Sequence, residues 1–147
     1  MKTLWQESSR KELCDRLANL GSDSQAAWGK MNCQQMLAHV ADGMRMCLGD
    51  LKTTPKKSPL RFFLVKKLII YWLPFPKSAP TAPELISRQA ESIEIEISAI
   101  KKLVEDFAQR ENTGDWGEHP AFGKLSAKDW GVLGYKHTDH HLKQFGV

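Results

Sequence analysis

The sequence predicts an all-α protein, a four-helix bundle with a short extra helix between the second and third long helices. Three observations carry this. Four segments repeat apolar residues at steps of three, four and seven. Two of them open on an N-cap residue with its partner three residues on. The connection between the second and third is too long for a hairpin and holds an apolar run of its own. At 147 residues the chain reads as one domain, residues 1–147, with a single core.

The first helix is expected over Gln6–Leu20, where Leu13, Leu17 and Leu20 recur at helical spacing and Gly21 offers a stop. The second begins in "MNCQQMLAHVADGMRMCLGD", with Asn32 and Gln35 as a capping box. Met36, Val40, Met44 and Cys47 form its apolar stripe, Leu37 and Leu48 flank it, and Gly49 and Asp50 end it. The third is expected over Pro83–Arg110, with proline in its first turn and a stripe of Ile86, Ile93, Ile97, Ile100, Val104 and Phe107. Within it "IEIEI" alternates with period two, as a strand would. The helical pattern continues on both sides, so helix is the reading, and Ile95 falls off the stripe. The fourth starts at "SAKDW", where Ser126 and Asp129 are spaced as a cap and its partner, and stops at Gly146. The Gly-rich loop "NTGDWGEHPAFGKLS" precedes it.

The extra helix falls in Phe62–Leu73, interrupted by Lys66 and Lys67 and ended by Pro74 and Pro76. It is too short and too charged to span a membrane, which takes about 20 apolar residues. Three uses compete for residues 59–76, in this order: covering the bundle, forming a dimer contact, and lying on a membrane surface.

Composition excludes several classes. Hydrophobic residues at 41% and charged residues at 26% describe a soluble globular chain. The net charge of +4 and pI of about 9.0 come without a dense basic tract or an RNA-binding aromatic motif, so no nucleic-acid partner is expected. Cys14, Cys33 and Cys47 are odd in number and form no CxxC, which argues against a disulfide framework and a cysteine zinc site. Each reads as a small buried apolar side chain. Met1 to Leu20 lacks a signal peptide's apolar core, and a reducing cytoplasm is the expected location.

Three of the five histidines stand in "YKHTDHHLKQFG". On a helix His137 and His141 share a face and can grip one transition metal; His137 with His140 is the alternative pair. A third ligand has to come from another helix, and His39 is the one histidine of the first three. Gly43, four residues on, either leaves room at the ion or allows close helix packing. Three neutral imidazoles leave coordination positions open, the arrangement of a catalytic site. Zinc, nickel, iron, cobalt and manganese are all compatible cofactors. Asp42 is weighed as a partner of His39, as a base or as a surface carboxylate, His119 as a loop cap or pocket lining, Asp139 as solvated, and Trp28 and Trp130 as core anchors.

These residues resemble the DinB/YfiT-like superfamily of four-helix-bundle metalloenzymes, and more closely a branch of it that is a domain of unknown function. The resemblance rests on "WGKMNCQQMLAHVAD", "FPKSAPTAPEL", "HPAFGKLSAKDWG" and "YKHTDHHLKQFG", and spans about Trp28 to Gly146. It implies an up-down-down-up bundle, frequent homodimers, and metal ligands at His39, His137 and His141. Characterised members include metal-dependent transferases of low-molecular-weight thiols and a thiol-dependent isomerase. The "HRGQ" ending of many members reads "HLKQ" here, with Leu142 and Lys143 in place of Arg and Gly.

The expected function is that of a metal-dependent enzyme. Its three histidines activate a thiol or water toward a small electrophilic substrate, as a transferase or hydrolase. The alternative is a non-catalytic, dimeric bundle that binds a metal or small ligand.

Overall fold

A computed structural model describes residues 1–111 and 115–147. Among them the chain forms five α-helices, two single turns of 3-10 helix and no strand. The expected Gly-rich loop includes Asn112, Thr113 and Gly114, which lie outside the described residues.

Local capping chemistry sets most helix starts. Helix α1 (Glu7–Leu17) begins without a side-chain cap and ends three residues short of the expected Leu20. Its close is made by backbone turns, Asn19 N–H to Arg16 O and Leu20 N–H to Leu17 O, and Gly21 takes no left-handed conformation. Helix α2 (Cys33–Leu48) opens on the expected box: the Asn32 side chain accepts from Gln35 N at 2.8 Å, and the Gln35 side chain accepts from Asn32 N at 3.0 Å. It ends at Gly49 with φ 84°, a conformation that suits glycine. Twelve of its sixteen residues are buried, so α2 is enclosed on nearly all sides.

Helix α3 (Phe63–Tyr71) is the expected short helix. Only Ile70 of its residues is fully buried. Its last carbonyls are taken by the Lys136 ammonium, which donates to Ile69 O at 2.5 Å, to Ile70 O at 3.2 Å and to Leu73 O.

The expected Pro83–Arg110 helix is corrected. Pro83–Leu85 makes a lone 3-10 turn, the chain then runs without helix, and α4 (Ile93–Gln109) starts only at the Ser92 cap. Ile86, placed on the stripe by spacing, is exposed. The physical reason is Arg88. Its guanidinium forks onto Glu96 at 2.6 and 2.8 Å and reaches Asp42 at 3.1 Å, while Glu96 also accepts from Glu91 N at 2.9 Å. These bonds hold the segment before α4 out of helix. Ile93, Ile100, Val104 and Phe107 are buried, Ile97 is half-buried and Ile95 is exposed, so "IEIEI" is helical as read.

Helix α5 (Ala127–Gln144) opens on Ser126 with Asp129 as its capping partner, and Gly146 beyond its end has φ 77°. Asp129 also accepts from Lys67 at 2.5 Å and Tyr71 at 2.8 Å, which fastens α3 to α5. Helix α2 packs on α4 and α5, and α1 on α5 and α4. The buried apolar side chains form one cluster. No helix among the described residues is long and apolar enough to cross a membrane.

Candidate metal centre

His39 sits midway along α2, where the helix is most enclosed, and is itself buried. His137 and His141 occupy one face of α5, a turn apart, and both are half-buried. Packing of α2 against α5 brings the three imidazoles together, with one nitrogen of each within 4.8 Å of the others. No cysteine or carboxylate joins this group among the described residues.

Each ring's far nitrogen decides what its near nitrogen can do. His39 Nδ1 lies 3.1 Å from Leu85 O. A carbonyl only accepts, so Nδ1 carries the proton and Nε2 presents a lone pair. His141 Nδ1 lies 2.8 Å from Gln144 Oε1, and the Gln144 amide nitrogen donates to Trp28 O at 2.5 Å. The amide is thereby oriented with its oxygen toward His141, which leaves His141 Nε2 unprotonated as well. His39 Nε2 and His137 Nε2 face each other at 3.0 Å. Two ligands about 2.0–2.1 Å from one tetrahedral ion stand roughly 3.3–3.4 Å apart, close to that separation.

The electrostatics favour neutral rings. Burial holds His39 below the ordinary histidine value. Burial and the neighbouring His141 and His39 push His137 well below it. Burial, with His39 alongside, brings His141 to about 4. All three are unprotonated at neutral pH, the state in which imidazole binds a metal. The donor set and its held tautomers therefore fit a divalent transition ion.

The structure bears on each alternative that spacing left open. His141, not His140, joins His137; the His140 ring instead meets Trp28 at 5.7 Å and Phe75 at 6.0 Å between centroids. At Gly43 an added Cβ would stand 3.3 Å from His137 Cε1, so the glycine makes space for the His137 ring. Asp42 is not a surface carboxylate, and its negative charge counters in part the effect of burial on His39. It is buried and paired with Arg45 at 2.6 Å and Arg88 at 3.1 Å. His119 caps its loop, accepting at Nδ1 from Ala121 N and Phe122 N at 3.1 and 3.2 Å. Asp139 is not freely solvated: it pairs with Arg16 at 2.8 Å and Lys143 at 2.7 Å. Trp130 is a core residue as expected, whereas Trp28 is half-buried. Sequence reading missed Gln144 and the Leu85 carbonyl. Gln144 had a signal, its place three residues after His141 on the same helix; a backbone carbonyl has none.

No curated protein and no solved structure matches this sequence. The family described as Protein of unknown function (DUF1569) matches residues 6–146, nearly the whole chain and all three histidines. The chain belongs to the DUF1569 family.

Proposed function

We propose that this protein holds one divalent transition-metal ion on His39, His137 and His141. With it the protein activates water or a low-molecular-weight thiol toward a small electrophile, as a metal-dependent transferase or hydrolase. The observation that carries this reading is the bonding of the outer nitrogens: Leu85 O and Gln144 Oε1 leave Nε2 of His39 and of His141 unprotonated, that of His39 accepting from His137 Nε2 at 3.0 Å. When bound, such an ion lowers the pKa of water or a thiol and polarises a carbonyl. Three nitrogen donors leave positions for them. Zinc, nickel, iron, cobalt and manganese all accept imidazole.

The chain's own part is to hold and to exclude. Cys33 and Cys47 are buried with their thiols pushed up by burial, and Asp42 is committed to two arginines. The nucleophile in this reading comes from solution. A four-helix bundle of α1, α2, α4 and α5, in the up-down-down-up order of the DinB/YfiT-like superfamily, is the architecture we assign, with α3 as the extra helix. The commitment of Asp42 to Arg45 and Arg88 also favours a second reading, a metal-binding protein without turnover.

Elemental analysis of untagged protein tests the first claim. One metal per chain is expected, and none in His39→Ala or His141→Ala. Absence of metal after reconstitution with all five ions sinks both readings. A loaded protein that turns over no electrophile in thiol-transfer and hydrolysis screens leaves only the second.

A further inference from the structure

Helix α3 is fastened with its apolar side outward. Phe62, Phe63, Leu64, Leu68, Trp72 and Leu73 are between 45% and 79% exposed. Among the described residues only Met1, Ile86 and Ile95 are other exposed large hydrophobics, and Met1 lines a shallow cavity beside Trp72 and Leu73. Leu64, Leu68 and Trp72 stand four apart on one stripe. The helix is not turned this way for want of anchors. Lys67 and Tyr71 bind Asp129, Lys66 donates to Lys124 O at 3.0 Å, and Lys136 holds the last carbonyls. Its polar groups grip the protein, and although Ile70 is buried and Ile69 packs on the core, Phe63, Leu64 and Leu68 face water.

Charge marks what this face meets. Residues 51–83 contain seven lysines and arginines and no aspartate or glutamate, so the rest of the chain holds 14 basic against 17 acidic residues. Within the segment Arg61 pairs with Glu118 and Lys67 with Asp129. Lys52, Lys56, Lys57, Lys66 and Lys77 form no salt bridge among the described residues. A second copy packed here would bring one cationic segment against another. An anionic surface neutralises them.

We propose that α3 and its flanks are a membrane-docking surface, which seats on bilayers that carry anionic headgroups. The helix lies in the interface. Leu64, Leu68 and the aromatic side chains enter the acyl boundary, and the lysines of the flanks meet the headgroups. Apolar and electrostatic contributions act together, so neutral bilayers are bound weakly.

The test is co-sedimentation of the full chain with vesicles of phosphatidylcholine, alone and with roughly one-third phosphatidylglycerol. Expected is binding to the anionic vesicles that weakens with salt yet persists at physiological ionic strength. Leu64→Ser with Trp72→Ser lowers it by at least about tenfold, with melting temperature and far-UV dichroism unchanged. Lys57→Glu and Lys77→Glu each lower it roughly fivefold. Three results overturn the proposal. One is no binding to anionic vesicles at low salt. Another is equal binding by the serine double variant. The third is a wild-type dimer that the double variant dissociates in sedimentation velocity, which gives the face to a second copy.

Discussion

Gln144 touches the candidate centre through a single hydrogen bond, yet that bond decides which nitrogen of His141 faces inward. Partners of this kind are worth about 10- to 100-fold in metal affinity. Gln144→Ala is expected to weaken zinc binding in calorimetric titration by that factor without loss of helicity; unchanged affinity removes Gln144 from the site. Gly43→Ala presses a methyl on the His137 ring and is also expected to weaken zinc. Gly21→Ala, where nothing stands within 4 Å, is the matched control. At this scale the sequence was half legible. Three imidazoles could be picked out because helical spacing puts His137 and His141 on one face. Their tautomers could not, since they depend on Leu85 O, 46 residues from His39, and on an amide oriented by Trp28.

The break before α4 shows where element boundaries escape local reading. The capping pairs Asn32–Gln35 and Ser126–Asp129 were visible because each bond closes within three residues. Arg88, in contrast, keeps residues 86–91 out of helix by reaching Asp42 on another element. Burial alone would raise the Glu96 carboxyl, but the Arg88 fork and the Glu91 N–H hold it below its ordinary value. Arg88→Met leaves Asp42 and Glu96 buried without this partner, and is expected to cost about 3 kcal/mol in urea unfolding. It should also loosen the turn that offers Leu85 O, so zinc affinity falls with stability; a variant as stable as wild type refutes the anchoring role. The loop before α5 is set by a close approach instead. A Cβ at Gly117 would meet Met46 O at 1.9 Å, and Gly117 N donates to Cys47 O at 2.9 Å. Gly117→Ala is expected to destabilise by about 1–3 kcal/mol, and a neutral result would mean that this loop can move off α2.

For the molecule as a whole, buried histidines make stability depend on pH. Burial holds His119 at about 4, His141 lies at about 4, and His39 and His137 are also lowered. The unfolded chain binds these protons more readily, with values near 6.5. Stability without metal is therefore complete above about pH 6.5. It falls as pH drops toward about 4, by up to roughly 1.4 kcal/mol per pH unit for each histidine. Denaturant midpoints of chelator-treated protein at about pH 7.5, 6 and 5 check the slope, and a midpoint that rises on acidification refutes it. Zinc at 100 times its dissociation constant should add about 2.7 kcal/mol, raising the melting temperature by roughly 5–10 °C. The all-α class was legible at this scale because the apolar stripes persist through each long helix. The outward face of α3 was not, because spacing tells that a helix has a greasy side and not which way anchors such as Asp129 turn it. The enclosure of α2 bears on kinetics. His39 stands in the middle of the most buried helix, and His141 stands in the last turn of α5. Helix ends open far more often than buried helix centres. In hydrogen exchange the amides around His39 should be among the slowest and those around His141 much faster. A bound ion would then leave by a hinge at His141, at a rate set by opening of a turn that the Gln144 bond to Trp28 O and the buried Leu142 hold down.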